Sequence, residues 1–193
     1  MVVYGKGRNF IPLMKVTKTP IEGLCIITPD VFSDERGFFF EGYQKERYQK
    51  LGVEAEFVQD NISFSKKGVL RGLHYQVPPF DQGKLVSVLQ GSVLDVAVDI
   101  RSASPTFGKY VSVELSAENK KQFFIPSGFA HGFLALEEGT LFQYKCTNVY
   151  SKECDRGILW NDPELGIEWG IVNPILSPKD EQHPFWKDML REF

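Results

Sequence analysis

The stretch Gly83-Lys84-Leu85-Val86-Ser87-Val88-Leu89-Gln90-Gly91-Ser92-Val93-Leu94-Asp95-Val96-Ala97-Val98-Asp99-Ile100 decides how this chain folds. Residues 83–90 and 93–100 are two valine- and leucine-rich runs of the kind that packs well on a pleated surface. Gly91-Ser92 between them suits a type II′ turn, whose first central position needs a positive φ. The stretch predicts a β-hairpin, the clearest in the chain.

Outward from it the same signature repeats. On the N-terminal side, Leu24–Ile27, Phe57–Phe64 and Leu70–Gln76 read as strands, and Asp34-Glu35-Arg36-Gly37 reads as a tight turn into Phe38-Phe39-Phe40. Core packing is expected for at least one of those three rings. On the C-terminal side, Lys109–Leu115, Phe123–Ile125 and Thr140–Thr147 follow as strands, with Pro126-Ser127-Gly128 as a turn. Lys45–Leu51, closed by Gly52, is the one clear helix, and the less regular last third ends in one or two helical turns. Many short strands with one or two short helices predict an all-β fold, a jelly-roll β-sandwich or barrel. The 193 residues suit a single domain. Residues 1–14 show no sustained period and read as an extension outside the core, with Met14 as an alternative start.

A formal charge of −3 without a basic block argues against nucleic acid or an anionic membrane as the main partner. No run approaches the ~18 apolar residues of a membrane span, and the N-terminus lacks the apolar centre of a signal peptide, so a cytoplasmic location is expected. Cys25, Cys146 and Cys154 form no Cys-x-x-Cys pair and are expected as reduced thiols.

Two awkward residues mark the chemistry. In Leu70-Arg71-Gly72-Leu73-His74-Tyr75-Gln76, strict alternation puts Arg71 and His74 on opposite faces. A bulge at Gly72 would bring both to one cavity. Pro126-Ser127-Gly128-Phe129-Ala130-His131 has the Pro-x-Gly-x-x-His form of half a cupin metal motif, but the place of the other half reads His74-Tyr75-Gln76 and lacks its second histidine. With three histidines in the chain, no metal site is expected. Acid–base chemistry asks for less: His74 titrates near pH ~6.5 as a base, an aspartate orients it, Lys84 holds an enolate oxygen and Tyr144 supplies a proton. Spacing does not select the aspartate. Lys84 as a strand-end charge, Tyr144 as a half-buried aromatic and Asp180 at a helix start are the plainer alternatives.

Taken together, Asp34–Phe39, Phe57–Asn61, Gly68–Gln76, Gln82–Val86, Leu94–Asp99, Ser104–Gly108, Ile125–Phe133 and Tyr144-Lys145 closely resemble the dTDP-4-dehydrorhamnose 3,5-epimerases, in that family's order, from about Leu24 to Asp180. The resemblance implies a cupin-type jelly roll without metal or organic cofactor, and a homodimer whose N-terminal strands cross to the partner. It implies dTDP-4-keto-6-deoxyglucose as substrate, with inversion at C3 and C5. His74 would be the base and Asp180 its orienting partner, with Lys84 stabilising the enolate and Tyr144 reprotonating the opposite face. His131 would contact a sugar hydroxyl or shape the pocket. Arg71 would bind the diphosphate and Gln59 and Asn61 would line the nucleotide side. Arg36, Phe39 and Glu41 would reach the nucleotide, often that of the neighbouring subunit. Relatives that invert only C3 or only C5 keep the same acid–base residues.

Overall fold

A computed structural model describes residues 14–193; the expected extension otherwise lies outside the described residues. Met14 does not belong to it: its side chain is buried against Tyr48, Leu85 and Phe124. Thirteen strands follow: β1 (Lys15–Lys18), β2 (Cys25–Thr28), β3 (Val31–Asp34), β4 (Gly37–Phe40), β5 (Gln59–Ser65), β6 (Leu70–Gln76), β7 (Lys84–Gln90), β8 (Ser92–Asp99), β9 (Tyr110–Ser116), β10 (Gln122–Ile125), β11 (Phe129–Ala135), β12 (Thr140–Cys146) and β13 (Asp155–Gly157). Helix α1 (Lys45–Lys50) sits between β4 and β5, and two 3₁₀ turns, Asp180–Gln182 and Trp186–Asp188, lie near the C-terminus. The side chain of Gln44 caps α1 by accepting from Arg47 N, and Gly52 follows its end with φ +89°.

Two antiparallel sheets face each other, in the orders β1-β2-β10-β7-β12-β5 and β13-β6-β11-β8-β9. Between them Val86, Phe123, Ile125 and Phe142 of the first meet Val93, Ala97, Leu115, Phe129 and Phe133 of the second. This is the β-sandwich that the pattern of short strands predicts. Helix α1 and the turn after it cover the outer face of the six-stranded sheet through Tyr48 and Val53. The C-terminal segment covers the other sheet through Ile158, Leu165 and Trp169.

The expected hairpin at 83–100 is corrected here. Both strands form, but β7 pairs with β10 and β12 while β8 pairs with β11 and β9. The chain changes sheets at Gly91, φ +75°, where a Cβ would lie 2.6 Å from Thr140 Oγ1. Burial explains the outcome. Val93 and Ala97 of β8 enter the core between the sheets while Val96 and Val98 pack under the C-terminal segment. A strand buried on both faces belongs in the middle of a sheet.

The Phe38–Phe40 expectation also fails. Strands β3 and β4 form a separate two-stranded hairpin, in which Phe38 and Phe39 are 60% and 68% exposed and Phe40 is half-buried.

Candidate active site

The site begins with the irregularity at Gly72. Strand β6 pairs with β11 as Leu70 with Leu134, Arg71 with Phe133 and His74 with His131. Two β6 residues, Gly72 and Leu73, thus stand against the single Gly132, which is a bulge. Residues directly opposite in an antiparallel pair share a face, and Phe133 and His131 are two apart, so Arg71 and His74 share that face. Leu70 and Leu73 turn outward into the cluster under the C-terminal segment. The bulge expected from the parity conflict is present.

His74 is held by Asp180, with Nε2 2.5 Å from Oδ1. Asp180 starts a 3₁₀ turn and is 3% exposed; Ser177 Oγ donates to its Oδ2 at 2.7 Å. Burial raises the acidity of the His74 imidazolium, pushing its pKa below the ordinary value, and the bond and charge of Asp180 oppose this without cancelling it. The imidazole is therefore neutral at neutral pH, as a base must be. Desolvation would raise the Asp180 carboxyl, but nearby His183 and the bonds from His74 and Ser177 outweigh it and hold the group far below the carboxylate range.

The other wall comes from the six-stranded sheet. Its register aligns Lys84 with Cys146 and Gln59 in one row, and Val86 with Tyr144 and Asn61 in the next. His74, Lys84, Tyr144, Gln59, Asn61 and Gln82 border one cavity of about 480 Å³, a size suited to a small ligand. Lys84 Nζ lies 6.0 Å from the centre of the Tyr144 ring. Burial lowers the pKa of Lys84, and nearby Cys146, Asp95 and Asp155 only partly offset it. Burial raises that of Tyr144, with Arg71 opposing, so the phenol keeps its proton at neutral pH. A neutral base on one wall thus faces a protonated acid and a cation on the other. That arrangement fits proton removal beside a carbonyl, with return of a proton from the opposite side.

The family model for dTDP-4-dehydrorhamnose 3,5-epimerase matches residues 18–188. The chain belongs to this epimerase family. A dTDP-4-dehydrorhamnose 3,5-epimerase of Shigella flexneri is 57% identical over 168 residues, covering 86% of this chain and 93% of the relative. The crystal structure of dTDP-6-deoxy-D-glucose-3,5-epimerase from Legionella pneumophila, in complex with dTDP-4-keto-L-rhamnose, is 52% identical with a TM-score of 0.89, covering 93% of this chain and 96% of that one. A 3′-monoepimerase of Streptomyces bikiniensis in complex with dTDP-quinovose is more distant, at 33% identity and a TM-score of 0.82, covering 86% of this chain and 85% of that one.

Against the residues expected of an epimerase, the structure gathers His74, Asp180, Lys84, Tyr144, Gln59 and Asn61 at one place. Gln59 is engaged in its own fold: Nε2 donates to Asn61 Oδ1 at 3.1 Å, and Oε1 accepts from Tyr150 N at 3.0 Å. The Arg71 guanidinium is anchored on β5 through Ser65 Oγ, 3.2 Å, and the Phe64 carbonyl, 3.1 Å. His131 is buried beside His74 with Nε2 2.9 Å from Asp95 Oδ2, and neither it nor Arg71 lines the cavity itself. Arg36, Phe39 and Glu41 do not join this cavity in their own chain: Arg36 pairs with Asp34 and Glu41 with Arg47.

Sequence reading missed Asp95, Tyr150, Asp155, Lys179 and His183. Asp155 accepts from Tyr150 and pairs with Lys179 at the cavity margin. His183 lies one turn beyond Asp180, a spacing that was open to notice. His74, Asp180 and His183 offer nitrogen and oxygen atoms within 4.8 Å of one another, the one such metal-competent grouping among the described residues. The 2.5 Å between His74 and Asp180 is a closed hydrogen bond. Ligands around a tetrahedral zinc stand roughly 3.3 Å apart for bonds near 2.0 Å. The donor set in this geometry therefore does not fit a metal.

No described helix is long and apolar enough to cross a membrane.

Proposed function

We propose that His74 and Tyr144 invert C3 and C5 of dTDP-4-keto-6-deoxyglucose by acting from opposite walls of the cavity. The C4 ketone acidifies the hydrogens on both neighbouring carbons. His74 removes one, and Asp180 orients the imidazole and stabilises the imidazolium that forms. The electron pair moves into the enolate, whose oxygen is met by Lys84, a half-buried and desolvated ammonium that gains by neutralisation. Tyr144 then delivers its proton to the other face of the carbon. The imidazolium then gives its proton to solvent and the Tyr144 phenolate takes one back, which restores the pair for the second centre, and the steps as written need no cofactor. The observation that carries this reading is the placement of His74, held by Asp180 of the C-terminal segment, on one sheet and of Tyr144 and Lys84 on the other.

Arg71 binds the diphosphate, Gln59 and Asn61 border the nucleotide side, and His131 keeps the sugar pocket in shape. The working form is a homodimer in which the β3–β4 hairpin reaches the partner. Two observations support this. Val31, Phe32, Phe38 and Phe39 of the hairpin are all at least 40% exposed, a cost in water that a partner removes. Strand β5, which carries Gln59 and Asn61, is the outer strand of its sheet, and its Ile62 and Phe64 are exposed as well. A hairpin received at that edge brings Arg36, Phe39 and Glu41 toward the partner's nucleotide. The free thiols of Cys25, Cys146 and Cys154 suit a cytoplasmic enzyme.

The test is incubation with dTDP-4-keto-6-deoxyglucose in deuterated water, followed by NMR. Deuterium at both C3 and C5 is expected. Label at a single carbon would make this a single-centre epimerase, and label at neither would overturn the enzymatic reading.

A further inference from the structure

His183 stands outside the chemistry described so far, yet it is built into the catalytic wall. Its side chain is 8% exposed, and its Nε2 lies 3.6 Å from Asp180 Oδ1, the same oxygen that holds His74. That buried Nε2 has no hydrogen-bond partner. The two imidazoles meet edge to face, with centroids 5.3 Å apart and planes at 75°.

The His183 ring also rests on Gly157. Gly157 is paired with His74 across β13 and β6. A Cβ at 157 would fall 2.3 Å from His183 Cε1 and Nε2 and 2.5 Å from Nδ1. Its φ is outside the left-handed region, so the backbone does not require glycine there. The absent side chain is the slot that the imidazole fills.

We propose that His183 is a positioning residue for the proton-abstracting pair, its Nε2–H facing Asp180 Oδ1 from 3.6 Å, outside a formed hydrogen bond, and drawing on the oxygen that otherwise serves His74 alone. The inference deepens the epimerase reading and rests on it for its catalytic meaning. A donor on Oδ1 draws charge from the carboxylate and weakens its hold on the His74 proton. His183 thereby keeps His74 deprotonated to lower pH.

Other charges bear on the same pair and stay in place when His183 changes. Lys84 and Lys179 face His74. Asp155, Arg156, Asp188 and Glu192 border the cavity on the far side of His183.

The chain has three histidines, so the imidazole signals of His74 can be followed by NMR in the wild type and in His183→Ala. The midpoint of His74 is expected to rise by about half a pH unit in His183→Ala, the lower end of what one neutral hydrogen bond would give. His183→Gln, which restores a non-titrating donor at a similar reach, should return most of that shift. Gly157→Ala should displace the ring and reproduce the His183→Ala midpoint, and should add nothing in the His183→Ala background, where the slot is empty. An unchanged midpoint in His183→Ala, or additive effects of the two substitutions, would overturn the proposal. The titration needs no turnover, so it stands apart from the deuterium test. Wild-type protein that fails to exchange substrate hydrogen would sink the epimerase reading, not the link between His183 and His74.

Discussion

Replacing Gly72 by alanine would place a methyl group 2.5 Å from the Gly132 Cα and 2.9 Å from the His131 carbonyl oxygen, inside the backbone of the neighbouring strand. Gly72 also has φ +129°, where an L side chain is strained. The two costs can be separated, because Gly37 has nearly the same φ, +127°, with nothing within 4 Å of its Cβ position. Gly37→Ala should show the backbone cost alone, about 1–2 kcal/mol. Gly72→Ala should show that cost plus about 1–3 kcal/mol of overpacking against a strand that cannot move aside. For a chain of this size each kcal/mol lowers the melting temperature by about 2–4 °C. Gly72→Ala should therefore melt several degrees below Gly37→Ala in parallel calorimetric scans. Turnover should fall in step, since the bulge is what places Arg71 and His74 on one face. Equal melting temperatures for the two variants, or full activity in Gly72→Ala, would refute the claim that the bulge is held rigidly against β11.

Turnover should have an acid limb with an apparent midpoint below ~6.5, the unperturbed imidazole value, because burial depresses His74 and the neutral ring is the base. Activity is then complete above that midpoint and lost as pH falls through it, and a rate profile from pH 4 to 8 checks the sign. Tyr144→Phe should lower product formation by about 10²-fold or more while deuterium still washes into recovered substrate, since abstraction survives and reprotonation of the far face does not. Loss of wash-in to the same extent as turnover would count against the division of roles. Asp99, fully buried and held by Arg101, Ser104 and Thr106, has its carboxyl pushed down to about 2. Its ionisation therefore stabilises the fold above pH ~4 by about 2 kcal/mol, a contribution lost as pH falls toward 2. Asp99→Asn should destabilise the protein at pH 7 and narrow its gap to the wild type as the pH approaches 2, in denaturant titrations.

Local signals carried much of this fold. Leu70–Gln76 is a strand over its whole predicted length, and the helix expected over Lys45–Leu51 forms over Lys45–Lys50, capped by Gln44 and followed by Gly52. What periodicity does not carry is the partner of a strand. Residues 83–100 looked like a hairpin because Gly91-Ser92 has the right turn chemistry, yet the lack of alternation in β8 was already a sign of burial on both faces. Exposure of Phe38 and Phe39 was illegible for a related reason: three adjacent aromatics announce burial without saying against which chain. Within the site, His74, Lys84 and Tyr144 were legible as chemistry. Spacing could not choose Asp180 from among the aspartates, because it stands 106 residues from His74 and only the fold of the C-terminal segment closes that distance.

The misread turn and the catalytic geometry are one feature. Had β7 and β8 closed as a hairpin, Lys84 would share a sheet with Asp95, and through β11 with His131 and His74. The proposed base and the proposed enolate-binding cation would then project from one wall, leaving no sugar-sized gap between them. Because the chain crosses at Gly91, Lys84 stays with Tyr144 on the six-stranded sheet, while Asp95 goes to the five-stranded sheet to hold His131 behind His74. Inversion of a stereocentre needs a proton to leave from one face and return to the other. A single-wall site would return the proton to the face it left. The sheet change at Gly91 and the bulge at Gly72 thus answer the same demand, the first by separating acid from base and the second by turning the base inward.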